Sequence, residues 1–510
     1  MGNIRKIVVY ILLLVLVVYA FCILSDKHPL TSREGSALAP LSLMQKGHSP
    51  YDLSYLPAYY YSYFFFQQYI SLPVVKIFGL NLIVLRILGH LFILGACFMF
   101  FKASRKISGN KSLSILATII LYAGSLYLNT SEVRADAYGL FFYIAAISAY
   151  FIFDNKYLRP SVIVFASLFG FFSKYYFIAS LFIVLVYELM IFSRKRLGIL
   201  VFISILFSGI SILLLWKFLP GYYTVYLKPF MVTGAMYKKD LLFSFKQFAL
   251  FLVLLAPLII TVIAFAGKKM LTKIPFNVLF SKNKFDSISI AEKTESYLVW
   301  GVIASTGGTI FFLATNIGNQ MTYLMHLMLA WYLWYALFLY KKFNIPEIRF
   351  YNTAVACLLF FVILLRPWNY FTKSKGDWQK VYSYIDKHNQ VFAPAEFADY
   401  IIRTDKELYN SGHTLGFPAL EKYSIFLKDD SMVLKHTDPE IMEASNRFYE
   451  MMTSNIQNKK FDLIIIDNTL TIGHFMKDIQ TNYKKTDSCS VYMPHSRHLI
   501  EVEMYEPKGK

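Results

Sequence analysis

The residues of this chain that could do chemistry are charged side chains set at the edges of apolar runs. Glu34 lies in "TSREGSALAPLSLMQKGHSPYDL". A carboxylate there could act as a general base, taking a proton from an attacking hydroxyl; the plainer alternative is a solvated loop acid paired with Arg33. Glu132, Arg134 and Asp136 fall together in "NTSEVRADAYG". Two carboxylates four residues apart could share a divalent cation such as Mg or Mn, while Arg134 could clamp a phosphate in bidentate fashion. The alternative is a helix-capping cluster in which Arg134 neutralises its neighbours. Lys174 and Arg86, the latter in "LIVLRILGH", could each bind an anionic headgroup. For Arg86, snorkelling or pairing with a core carboxylate is the favoured alternative. His90 and His326 stand on apolar runs and read as hydrogen-bonded packing residues rather than ligands. There is no P-loop, HExxH, GxSxG or metal-type Cys/His spacing.

Composition says what must position these groups. The chain has 510 residues, of which 56% are hydrophobic, 18% aromatic and 16% charged. Ordinary globular proteins are about 25% charged. A mean hydropathy of +0.46 over the whole length implies long stretches apolar on every face, and hence a polytopic membrane protein. The formal charge of +19 suggests a nucleic-acid binder until its distribution is examined. Residues 368–510 carry 18 Lys and Arg against 20 Asp and Glu, so the whole excess lies in loops between the apolar runs. Basic charge there sets membrane orientation and meets anionic headgroups, and no nucleic-acid partner is implied. Three of the four cysteines (Cys22, Cys97, Cys357) fall in apolar runs, so no disulfide framework is available.

Run length predicts about eleven transmembrane helices. The first, 7–24, reads as uncleaved with the N-terminus in the cytoplasm, because no small-x-small cleavage site follows it. The others are expected over 82–101, 112–128, 138–153, 161–192, 197–219, 247–267, 296–315, 321–340 and 351–367. Taken as two arms, 161–173 and 175–192 leave 20 Lys and Arg in the inside loops and 8 in the outside ones. A single helix would reverse everything after it and lose that bias, so the positive-inside rule selects two arms. The first arm, at 13 residues, is too short to cross. Its break at Phe172-Ser173-Lys174 must then sit at membrane depth, against protein or a wet cavity. The aromatic stretch Ala58–Phe78, broken by Pro57 and Pro73, suits an interfacial helix inside a first outer loop, 26–71. Residues 368–510 combine expected helices (378–387, 439–456) with the strand-like "FDLIII" at 461–466. They read as a small extracytoplasmic α/β domain after a transmembrane module, 1–367.

In order and sidedness, these segments resemble the C-type superfamily of membrane glycosyltransferases. The branch is that of the protein O-mannosyltransferases and the aminoarabinose lipid A transferases. The similar stretches are "REGSALAPLSLMQKGHSPYD", "LPVVKIFGLNLIVLRILG", "EVRADAYGLFFYIAAI", "FFSKYYFIASLFIVLVYEL" and "GNQMTYLMHLMLAWYLW". The resemblance implies transfer of a sugar from a polyprenyl-phosphate carrier to a lipid, glycan or protein acceptor, on the outer face of a bacterial inner membrane. It gives Glu34 the place of the catalytic acid, although many relatives carry two adjacent acids where this chain has Arg33 then Glu34. It matches Asp136 to an acid at the start of the fourth helix and Lys174 to a cation that meets the carrier phosphate. Direct attack would invert the anomeric centre. A lipid-linked-sugar flippase would more often show repeats and midplane acids; a non-catalytic envelope assembly protein is the other alternative.

Overall fold

The computed structural model describes residues 2–56, 58–61, 65–128, 133–191, 194–223, 290–315, 321–365, 376–411, 438–467, 475–494 and 498–509, with a few single positions between 225 and 260. Glu132, the expected span 247–267 and most of the loops flanking it lie outside the described residues.

The helical part begins with α1 (Gly2–Ser25), α2 (Ser32–Gln45), α3 (Phe66–Phe78), α4 (Leu82–Ser108) and α5 (Lys111–Tyr127). It continues with α6 (Asp136–Ile152), α7 (Leu158–Ser173), α8 (Ala179–Ile191) and α9 (Arg194–Phe218), then α10 (Ile290–Thr315), α11 (Met321–Lys342) and α12 (Glu347–Leu365). By length and composition, the stretches Lys6–Ser25, Leu82–Ser108, Leu197–Phe218 and Glu347–Leu365 are long and apolar enough to cross a membrane. Their outward faces carry Ile7, Ile11, Leu14 and Phe21 on α1 and Phe202, Ile205, Leu213 and Trp216 on α9, all exposed. Water does not tolerate such a belt and lipid does, which is the surface of an integral membrane protein. The core lies between α4, α5, α6 and α11, where Trp334 stacks on Phe100 at 5.1 Å and Trp331 is fully buried.

Two features position the functional groups. First, the expected break is present: α7 ends at Ser173, Lys174 is extended (φ −154°, ψ 133°), and a 3-10 turn, Tyr175–Ile178, leads into α8. Phe177 from that turn packs so tightly on α6 that a Cβ at Gly139 would lie 2.1 Å from its ring. Only glycine lets the broken segment come this close. Second, the first interhelical connection, expected to be a loop with an interfacial helix, contains α2 as well. Pro73 does not break α3, which runs through it to Phe78 and stops at Gly79 in positive φ.

The C-terminal residues form a four-stranded mixed sheet from β1 (Val391–Phe392), β2 (Leu463–Asp467), β3 (Tyr483–Met493) and β4 (His498–Pro507). The spatial order is β1-β2-β4-β3, with β1 parallel to β2 and the other pairs antiparallel. Helices Trp378–Lys387 and Pro439–Gln457 flank it, both strongly amphipathic in sequence and buried along one face. The segment Ala395–Arg403 packs on α2, close enough that a Cβ at Gly35 would meet the Ala395 carbonyl oxygen at 2.6 Å.

Candidate functional site

Glu34 enters α2 as its third residue, after Thr31 at the N-cap. The pattern Thr-x-x-Glu is that of a capping box. Here the carboxylate reaches one residue further back, Oε2 accepting from the Leu30 N–H at 2.7 Å. Arg86, in the second turn of α4, closes the rest. Its Nε donates to Oε1 at 2.8 Å and its Nη2 to Oε2 at 2.5 Å, a bidentate pair in which both side chains are wholly buried. The remaining Arg86 donors go to the carbonyls of Ile23 in the last turn of α1 (3.2 Å) and of Asp26 (2.5 Å) and His28 (2.8 Å) just past its end. The Val133 N–H donates to Glu34 Oε1 at 3.1 Å. The reading of Glu34 as a solvated loop acid therefore needs correcting: the carboxylate is buried and accepts four hydrogen bonds. The same holds for Arg86 as a free anion binder, since its fork is filled by an acid and three carbonyls.

Asp136, Arg134 and Lys174 are brought together as a second centre. Asp136 opens α6, where the helix dipole favours a negative charge. Because Lys174 sits at the break after α7, its chain turns across to α6, and Nζ donates to both Asp136 carboxylate oxygens at 2.8 Å. The Tyr176 hydroxyl donates to Oδ1 at 2.6 Å, and Arg134 Nε lies 3.3 Å from Oδ2. All four residues are buried. Two cations thus converge on one carboxylate. A divalent cation does not fit on Asp136 in this setting, because its oxygens already face an ammonium and a guanidinium. Among the described residues, no group of three or more His, Cys, Asp or Glu could hold a metal.

Sequence reasoning missed one member, Tyr176, which gave no signal apart from its nearness to the break. His326, read as a hydrogen-bonded packing residue, lies within electrostatic reach of Asp136, Lys174 and Arg134. It is 2% exposed, and its Nε2 makes no hydrogen bond among the described residues. The neighbouring Leu327 carbonyl accepts from the Tyr143 hydroxyl at 2.9 Å, and Tyr143 accepts from Trp331 Nε1 at 2.8 Å, which locks α11 onto α6. His90, by contrast, is the packing residue expected, meeting the Tyr122 hydroxyl at 3.1 Å.

Acids of the C-terminal part are buried as well. Burial pushes the Asp399 carboxyl up to about 6 against the pull of Arg403, whose Nη2 donates to it at 2.9 Å. Burial, helped by the charge of Asp467, pushes Glu396 up to about 8.

A helical membrane body with this broken helix and a C-terminal mixed sheet shares its fold with a solved structure. The solved structure of ArnT from Cupriavidus metallidurans in the apo state is similar to this chain with a TM-score of 0.52, covering 97% of each chain at 10% identity. ArnT from the same organism bound to undecaprenyl phosphate gives a TM-score of 0.47 and 13% identity over the same 97% of each chain. At such identities the likeness is one of fold. No family model matches the chain, and no curated protein does.

Proposed function

We propose that the chain is an integral-membrane glycosyltransferase that moves a sugar from a polyprenyl-phosphate-linked donor to an acceptor on the extracytoplasmic face, with inversion. The observation that carries this reading is the convergence of Arg134 and Lys174 on Asp136, at the start of one helix and the break of another. Two buried cations at that position suit the phosphate of a lipid carrier, and a departing sugar phosphate needs its charge stabilised more than it needs a strong nucleophile. In this reading Lys174 and Arg134 hold the carrier phosphate, Asp136 aligns them, and the Glu34–Arg86 pair fixes the segment on which they stand. The fold shared with ArnT supports it, as does the undecaprenyl phosphate bound in the second ArnT structure as a precedent for the ligand class. The transferred sugar is a hexose or pentose. About eleven membrane helices with the N-terminus inside would put residues 368–510 outside, and Cys489, half-buried on β3, is the natural probe. A membrane-impermeant maleimide should label it in intact spheroplasts; labelling only after lysis would overturn the orientation.

The deciding assay uses the full chain in liposomes with labelled undecaprenyl-phosphate sugars and a crude envelope acceptor fraction. Label transferred to acceptor supports the transferase. Lipid-linked sugar moved between leaflets without transfer would make the chain a flippase, and neither outcome would leave an assembly role.

A further inference from the structure

Away from the Asp136 centre, α2 and the C-terminal part enclose a cavity of about 290 Å³. Small-molecule sites run from about 300 to 1,000 Å³, so this one has room for a headgroup and not for a whole lipid. Its walls come from stretches far apart in sequence. The end of α2 gives Lys46, the first interhelical connection Tyr59, the turn before α4 Leu80, and the C-terminal part Arg403, Asp405 and Lys406. Three lining residues are cations and one is an acid.

Two of the cations are fixed by the fold. Arg403 Nη2 donates to the wholly buried Asp399 at 2.9 Å, and its guanidinium lies over the Tyr400 ring at 5.5 Å. Among the described residues, Asp399 is the one hydrogen-bond partner of that fork. Lys406 Nζ donates to the Ile385 carbonyl at 2.7 Å and to that of His388, so among the described residues no carboxylate neutralises it. The third cation, Lys46, meets Asp405 at 3.0 Å, with side chains 58% and 85% exposed. An ion pair so open to water is weak, and another anion can replace its acid. Asp405 also stands at φ +55°, just past the helix ending at Arg403, where glycine or asparagine is the usual cap. The chain thus keeps a carboxylate on Lys46 where an uncharged residue would serve the backbone.

The cavity lies at a membrane surface. Leu80 stands two residues before Leu82–Ser108, a stretch long and apolar enough to cross a membrane. Ile77 and Phe78, at the end of α3, are 74% and 67% exposed. Gln45, also in the cavity wall, donates from Nε2 to the Val75 carbonyl at 3.3 Å, which ties the wall to that helix. Anionic headgroups are drawn to basic pockets at this depth, and acyl chains to apolar side chains beside them.

We propose that this cavity binds the phosphate headgroup of an anionic phospholipid, at a site separate from the Asp136 centre. The phosphate takes the place of the Asp405 carboxylate on Lys46 and accepts from the remaining N–H groups of Arg403. The acyl chains lie along Ile77 and Phe78. A lipid so held joins α2 to the C-terminal part, and the site is independent of the transferase reading.

The test counts lipids on the detergent-purified full chain by native mass spectrometry, titrating phosphatidylglycerol, phosphatidylcholine and soluble glycerol phosphate. One phosphatidylglycerol should bind wild type at least about tenfold more tightly than phosphatidylcholine does, and Lys46→Gln should remove about that factor, as loss of a charge-assisted contact does. Asp405→Asn should tighten binding about threefold, because the competing ion pair is exposed. Arg403→Lys keeps a cation on Asp399 but not the fork, and should weaken binding at least about threefold. Lys76→Gln removes an equal charge from exposed α3 outside the cavity and should shift affinity less than about twofold. Equal binding of phosphatidylcholine, or glycerol phosphate bound as tightly as the lipid, overturns the assignment. Equal losses in Lys46→Gln and Lys76→Gln overturn it in favour of diffuse surface charge. Binding lost in Lys174→Met but kept in Lys46→Gln places the lipid at the Asp136 centre and overturns it as well.

Discussion

The two buried charge centres lie one residue apart on the chain, at Val133 and Arg134, yet they are built on opposite principles. Around Glu34 one acid is held bidentately by one cation, and the other hydrogen bonds described there are to backbone groups. Around Asp136 one acid meets two cations and a tyrosine hydroxyl. The first arrangement is a joint, since a saturated pair has nothing left to offer a ligand. The second has the cationic character that an anionic substrate requires. Equal burial therefore says little about role; the ratio of charges and the identity of the partners say more.

Breaking the joint should have the largest effect. Arg86→Met leaves Glu34 charged, buried and with two of its four bonds gone, which costs about 3–5 kcal/mol when a buried pair loses one member. We expect poor expression or a collapse in melting temperature. Arg86→Met combined with Glu34→Gln should recover part of that loss, because neither charge is then stranded. A double variant as unstable as the single one would show that the pair is not the source of the stability.

At the second centre, Lys174→Met should weaken undecaprenyl phosphate binding by at least about 1.5 kcal/mol, the low end for a charge-assisted contact, or roughly tenfold. Melting should move far less than in Arg86→Met. Titrating the detergent-purified variants with the lipid checks this, and unchanged affinity would make the second centre a joint like the first.

The smallest effect sharpens the comparison with a third group, the buried acids of the C-terminal part. Glu396 is held up to about 8 by burial and by Asp467, above the ordinary glutamate value of 4.5. The folded state thus binds more protons than the unfolded chain between roughly pH 4.5 and 8, so stability contributed by protonated Glu396 is present at acid pH and lost as pH rises through that window. Glu396→Gln should raise the melting temperature at pH 8 by a few degrees and leave pH 4.5 nearly unchanged. A rise of equal size at both pH values would remove the titration argument.

Much of this was legible in the sequence. The described helices follow run length, and the break at Lys174 followed from the distribution of basic loops. Arg134, Asp136 and Lys174 were candidates because charge beside apolar runs is costly. What the sequence concealed was pairing. Glu34 and Arg86 are 52 residues apart, on two helices whose crossing no periodicity encodes. The first outer loop expected over 26–71 hid α2, a helix with Pro40 inside it and few apolar residues, which is completed by packing from residues near 400.

The segment Val133–Asp136 has a further consequence. Its first N–H is fastened to Glu34, while Arg134 and Asp136 belong to the other centre. Four residues therefore act as a ruler whose two ends are both pinned. Chain length itself is under constraint here: a single inserted or deleted residue between 133 and 136 must unseat one centre or the other, whatever its side chain. Lineages diverging from this protein should vary freely in loops such as 154–157 and keep the count here.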